Sequence, residues 1–266
     1  MRKLNFTKMV ASGNDFVVAG ISGPQAKLKR LARGICDRKY GIGADGLLAI
    51  SDSRRADIRM RVFNADGSEA QMCGNGARCV AVFYGKGRSR IETKAGIINA
   101  EVAGDLARVR LTDPKGLRFD LPVRLARSIR VNFLNTGVPH AVVFAGMLDK
   151  IDVVPIGRQI RNHKKFAPEG TNADFVEIVN NNLIKIRTYE RGVEDETLAC
   201  GTGAVAAAVI SCLKHGIPKS KGSCRVSVAT KSGERLKVYF NRSGMRITDV
   251  WLEGRVRIIS KGVYYV

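Results

Sequence analysis

The chain has 266 residues, 45% of them apolar and 26% charged. At roughly 150 residues per domain that length accommodates about two domains and excludes a disulfide-stapled miniprotein, while the apolar run 203–213 falls well short of the roughly 18 residues of a membrane span. The net charge of +21 raises nucleic-acid binding as a rival reading. However, the basic residues are spread over 27–33, 54–61, 108–130, 158–165 and 214–237, and aromatics reach only 6%, so a solvated basic surface is expected and nucleic acid is not.

The N-terminal Met1-Arg-Lys-Leu opens no long apolar run, so no secretion signal is read there. Alternating apolar residues after Leu4 and over 16–19 predict a strand pair around the polar tip Ser12-Gly-Asn-Asp. Leu28, Leu31, Ala32, Ile35 and Cys36 recur at helical spacing, predicting an amphipathic helix over 24–40, opened by Pro24, closed by Gly41, with a solvated basic face. Strands are expected at 47–50 and 58–63, an apolar helix at 77–84, and short strands over 90–111 separated by Gly96 and Gly104. The second half repeats the grammar: strands at 131–134 and 141–144, a helix at 156–163, and strands at 173–179 and 183–189. A second apolar helix at 202–214 and strands at 225–230, 235–240, 245–252 and 255–260 complete it.

Cys73-Gly-Asn-Gly-Ala-Arg is matched by Cys200-Gly-Thr-Gly-Ala-Val at a separation close to half the chain, which suggests two related α/β halves. A thiol ahead of a Gly-x-Gly helix start meets the positive end of the helix and several free N–H groups. Such positions can lower a thiol pKa from about 8.5 into the range of roughly 3.5 to 7.5. A single free cysteine reads as readily as a small core residue, but the duplicated setting favours chemistry for Cys73 and Cys200. Cys36, Cys79, Cys212 and Cys224 lack it and are expected in the core. With no C-x-x-C pair and no zinc spacing, all six are expected as free thiols in a reducing cytoplasm. Two such thiols suit removal of an α-proton by one and delivery of a proton to the opposite face by the other. Helix N-termini directed at a carboxylate would stabilise the carbanion without a cofactor. Gly41-Ile-Gly-Ala-Asp-Gly has the letters of a dinucleotide fingerprint, but it follows a helix and precedes a strand, the reverse of what that motif needs. No P-loop is present.

Ser12-Gly-Asn-Asp-Phe, Gly41-Ile-Gly-Ala-Asp, Phe63-Asn-Ala-Asp-Gly-Ser-Glu, both Cys-Gly-x-Gly-Ala segments, Pro139-His and Tyr189-Glu-Arg-Gly together resemble the diaminopimelate epimerases, in order and nearly end to end. The resemblance implies an α/β (α+β) fold of two pseudo-symmetric domains, each a mixed, mostly antiparallel sheet wrapped around a central helix. It places the halves at 1–117, joined by a final strand near 260–266, and 118–259. It implies a cofactor-independent cytoplasmic isomerase interconverting LL- and meso-diaminopimelate, a step of lysine and cell-wall precursor synthesis. No metal or membrane is involved, and a homodimer is left open. Carried over by residue, Cys73 and Cys200 are the acid/base pair, and Gly74, Asn75, Gly201 and Thr202 serve the reacting carboxylate. Asn14, Asn64, Asn172 and Arg191 contact the substrate, Glu190 holds an ammonium group, and His140 sits near one thiol, with Glu190 and His140 as auxiliary acid/base or thiol-tuning groups. Simpler roles stay open: turn residues for Asn14 and Asn64, an exposed ion pair for Glu190 and Arg191, a loop histidine for His140. Two positions depart from the family pattern, Gly46 where many members have Gln and Val138 where many have Asn. Either other groups bind the substrate there or the distal selectivity is altered.

Overall fold

The computed structural model describes residues 3–218 and 222–266. Met1-Arg2 and residues 219–221, the latter inside the basic stretch 214–237, lie outside them. The chain divides into two compact units, Met1–Arg110 with Gly254–Val266, and Leu111–Glu253.

In the first unit β1 (Lys3–Ala11) and β2 (Asn14–Gly20) form the expected hairpin, turning through Ser12 and Gly13, both at positive φ. Helix α1 (Gln25–Cys36) crosses over to β3 (Gly46–Ser51), which is parallel to β2, as a parallel pair requires. Strand β4 (Ile58–Asn64) is antiparallel to β3, and the short β5 (Glu69–Ala70) leads into α2 (Gly74–Tyr84). That helix crosses to β6 (Arg88–Thr93), parallel to β4, and β7 (Gly96–Ala103) and β8 (Leu106–Arg110) follow antiparallel. The last strand of the chain, β18 (Arg257–Tyr265), closes the other edge on β1.

The second unit has the same plan. Strands β9 (Lys115–Arg124), β10 (Ser128–Asn135) and β11 (Pro139–Phe144) run antiparallel, and α3 (Val153–Arg161) crosses to β12 (Asn172–Asn180), parallel to β11. Then β13 (Leu183–Glu190) and the short β14 (Asp195–Thr197) precede α4 (Gly201–His215), which crosses to β15 (Gly222–Ala229), parallel to β13. Strands β16 (Arg235–Ser243) and β17 (Arg246–Arg255) end the sheet. Strand for strand, β18-β1-β2-β3-β4-β6-β7-β8 and β9-β10-β11-β12-β13-β15-β16-β17 carry one sequence of parallel and antiparallel pairings. The fold is a mixed α+β architecture built twice.

Each sheet curls around one helix. α2 touches β1, β2, β4, β6, β7 and β8, and α4 touches β10 to β13, β15 and β16. Residues of α4 from Gly203 through Cys212 are all buried, which is why that segment is apolar on every side rather than along one stripe. The other helices are amphipathic and cover one face: α1 packs Leu28, Leu31 and Ile35 on Val17 and Leu47, and α3 packs Val153 and Ile160 near Phe175 and Tyr189.

Several boundaries differ from the sequence expectation, among them α3, which runs over Val153–Arg161 rather than 156–163. α1 ends at Cys36, not Tyr40, because the Asp37 carboxylate takes the N–H groups of Lys39 and Tyr40, both at 2.7 Å, and the Ile35 carbonyl takes that of Ile42 at 2.9 Å. Gly41 does not stop the helix; a Cβ there would lie 2.2 Å from the Gly34 carbonyl oxygen. Both central helices begin at their glycines, Gly74 and Gly201, rather than further in. Strand β9 was not expected; Pro122 inside it is compatible with an edge strand. Cys36, Cys79, Cys212 and Cys224 are buried, and burial pushes the Cys36 thiol up to about 12.

Candidate active site

In the first unit Cys73 is the N-cap of α2 with extended backbone, and its sulfur accepts the Gly76 N–H at 3.4 Å. A Cβ at Gly76 would stand 3.0 Å from Leu48 Cδ2, so the glycine lets the helix start lie against β3. Asn14, just past the hairpin turn, donates its amide to Asp45 at 2.7 Å, which turns its carbonyl oxygen toward the Cys73 thiol, 4.0 Å away. Asn75 is buried and accepts from Arg78 at 2.6 Å, and the fully buried Arg78 also donates to the Ser12 hydroxyl at 3.0 Å. Arg78 thereby ties the helix start to the hairpin tip. Asn64 ends β4 exposed, donating to Ser68 at 2.9 Å.

Asp45 is held in turn by Arg38 at 2.8 Å, which shares Asp15 with Lys8. Burial works against ionising Asp15, but hydrogen bonds from Arg38 and Lys8 outweigh it and carry its pKa from 3.8 to about 2. A carboxyl depressed on folding stabilises the fold above its unfolded pKa and loses that contribution as pH falls toward its folded one. The stability difference between wild type and Asp15→Asn is therefore expected to shrink between pH 3.8 and about 2. Acid titration of urea unfolding checks this, and a difference constant across that window would contradict it.

In the second unit Cys200 is the N-cap of α4, also with extended backbone but with no capping hydrogen bond from its side chain; it is buried, with its sulfur 3.4 Å from the Thr202 hydroxyl. The Thr202 hydroxyl lies 2.9 Å from His140 Nε2, and His140 Nδ1 lies 2.7 Å from Asp174. Asp174 also accepts from Thr188 at 2.8 Å, and both His140 and Asp174 are wholly inaccessible. Asn172 presents its amide nitrogen to His140 Nε2 at 3.4 Å and its oxygen to the Arg191 backbone N–H at 2.7 Å. The Arg191 guanidinium donates to the Glu169 carbonyl at 2.7 Å. Glu190 is not an exposed partner of Arg191; burial, reinforced by the charge of Asp174, raises its carboxyl above the usual range. Gly203 cannot carry a side chain, since a Cβ would meet Asp174 Oδ1 at 2.5 Å.

The thiol expectation divides here. Burial, with the carboxylates of Glu190 and Asp174 adding to it, pushes Cys200 well above an ordinary thiol. The helix terminus does not outweigh burial at this position. Two residues of consequence escape the sequence reading, Asp174 and Arg78. Arg78 left a trace, as the one charged residue in a helix otherwise free of charge. Asp174 left none, because its partners His140 and Thr188 are far from it in the chain.

Among the described residues no group of three or more His, Cys, Asp or Glu could hold a metal ion, and no helix is long and apolar enough to cross a membrane.

A doubled α+β fold with a cysteine capping each central helix places the chain among the epimerase-like folds. A solved PhzF-family phenazine biosynthesis protein from Bacillus anthracis superposes with a TM-score of 0.77 over all of both chains at 16% identity. A hydroxyproline epimerase from Agrobacterium vitis does so at 0.72 over 99% of this chain and 91% of its own, at 15% identity. The family model for diaminopimelate epimerase matches residues 6–115 and 132–248, and the chain belongs to that family. It is 44% identical to the diaminopimelate epimerase of Aquifex aeolicus over 97% of each chain, and 43% identical to that of Archaeoglobus fulgidus over 87% of this chain and 88% of the other.

Proposed function

We propose that this protein interconverts LL- and meso-diaminopimelate, with Cys73 and Cys200 as the acid/base pair and no cofactor. The observation that carries the reading is the pair of thiols, each capping a buried helix whose first turn is Gly-x-Gly, in a chain similar to diaminopimelate epimerases over nearly its whole length. One thiolate takes the α-proton; the other sulfur, protonated, gives one to the opposite face. The carbanion formed in between needs its carboxylate held by fixed donors, and the free N–H groups of Gly74, Asn75, Gly201 and Thr202 at the two helix starts supply them. Asn14, Asn64, Asn172, Glu190 and Arg191 are proposed to bind the remainder of the substrate, with His140 tuning Cys200.

Purified, chelator-treated protein incubated with LL-diaminopimelate should form the meso isomer without added metal or pyridoxal phosphate, as read by chiral chromatography. Inversion of proline or glutamate with diaminopimelate untouched would reassign the substrate. Activity that returns only on adding a metal or pyridoxal phosphate would overturn the mechanism.

A further inference from the structure

The hydrogen bonds behind Cys200 have a direction that can be read from their far end. The Asn172 side-chain oxygen is engaged by the Arg191 backbone N–H at 2.7 Å, so the group facing His140 Nε2 is the amide N–H of Asn172. An N–H facing a ring nitrogen requires that nitrogen to bear a lone pair. The proton of the neutral ring is then on Nδ1, where it is donated to Asp174 at 2.7 Å. With Nε2 an acceptor, the Thr202 hydroxyl at 2.9 Å is the donor to it, and a hydroxyl has only one proton to give. The 3.4 Å contact between Thr202 and Cys200 must therefore be donated by the thiol. Every group in the chain from carboxylate to sulfur points the same way.

We propose that Asp174 is a positioning residue which, acting through His140 and Thr202, holds the proton on the Cys200 sulfur and makes Cys200 the acid of the resting enzyme. The inference rests on the proposed role of Cys200. Thr188 completes the device: by donating to Asp174 Oδ1 at 2.8 Å it leaves Oδ2 to the histidine. Gly203 lies flat against the same carboxylate. The ionisable groups facing Cys200 are Asp174 from β12, Glu190 from β13 and, through Thr202, His140 from β11. The two carboxylates favour the neutral thiol by charge, and the relay adds direction, since a sulfur that must donate to Thr202 cannot at the same time be a thiolate accepting from it.

In Asp174→Asn the Thr188 hydroxyl keeps the amide oxygen, and the amide nitrogen now faces His140 Nδ1. That removes the acceptor of the Nδ1 proton and drives the ring toward the reversed tautomer, against the Asn172 N–H that still faces Nε2: Nδ1 accepts, Nε2 gives its proton to Thr202, and Thr202 donates to sulfur. The pH midpoint for alkylation of Cys200 by iodoacetamide, resolved from that of Cys73 by peptide mass, should fall by at least one unit. That is a tenfold faster reaction below the midpoint, with the Cys73 midpoint unmoved. In a Thr202→Val background the same Asp174→Asn change should move the midpoint much less. An equal shift in both backgrounds would mean that the carboxylate acts through space alone, and no shift in either would mean that it only supports the fold; both outcomes overturn the proposal. Nitrogen-15 NMR of the wild-type His140 ring needs no variant. It should find the proton on Nδ1, and a proton on Nε2 refutes the relay outright. None of these readings uses epimerase turnover, so they stand or fall separately from the assay with LL-diaminopimelate.

Discussion

Cys73→Ala and Cys200→Ala should each lower turnover at least about a hundredfold, the lower end of what a positioned proton donor or acceptor contributes. Neither should unfold the protein. Cys73 caps its helix with only a 3.4 Å sulfur contact to the Gly76 N–H, and Cys200 makes no capping hydrogen bond from its side chain. Replacing Cys36 or Cys79, both buried, should instead lower thermal stability and spare turnover. The two-base character is read in heavy water. Early product should carry deuterium at the inverted carbon, because the delivering thiol has exchanged with solvent, while recovered substrate remains protiated. Early product that keeps the substrate's own hydrogen would mean that one base serves both faces, and the assignment of two cysteines would fail.

Gly157→Ala should be among the most destabilising single-methyl additions in the second unit. Gly157 sits in α3 directly over Tyr189 of β13, and a Cβ would lie 2.4 Å from the tyrosine Cβ and 2.7 Å from its Cγ. Atoms so close to the backbone cannot rotate away, so helix and strand must separate. Overpacking of this kind costs about 1–3 kcal/mol, more than the roughly 1 kcal/mol that alanine gains over glycine inside a helix. Because Tyr189 precedes Glu190, the displaced strand should also lower activity. Thermal melting checks the first effect, with Gly146→Ala as the control, since nothing lies within 4 Å of a Cβ at that position. Equal melting temperatures for the two variants would refute the packing argument.

Most of this architecture was legible in the chain because each element carries its own period. The alternation over 16–19, the three- and four-residue spacing from Leu28 to Cys36 and the duplicated Cys-Gly-x-Gly-Ala segments are local signals. Helix ends were harder to place, because Asp37 stops α1 through its side chain and the spacing of apolar residues does not record that. Strand β9 has apolar residues at Leu117, Phe119, Leu121 and Val123 in clean alternation, but it is mostly exposed and interrupted by Pro122, so it reads as a loop. The candidate site divides in the same way. Its cysteines, their glycines and Asn14, Asn64 and Asn75 lie in short motifs, whereas the roles of Asp174 and Arg78 rest on contacts that exist only after the sheet has closed around its helix.

The burial of α4 also sets how that part of the protein opens. The backbone amides from Ala204 to Cys212 lie in a stretch of helix with no face on solvent, and no strand packed on it can leave without exposing that stretch. Exchange of those amides with solvent deuterium must wait for cooperative unfolding of the surrounding unit, whereas exposed loops exchange through small local openings. Cys200 stands at the head of this buried segment, so opening that frees its sulfur should be as rare as unfolding of the unit around it.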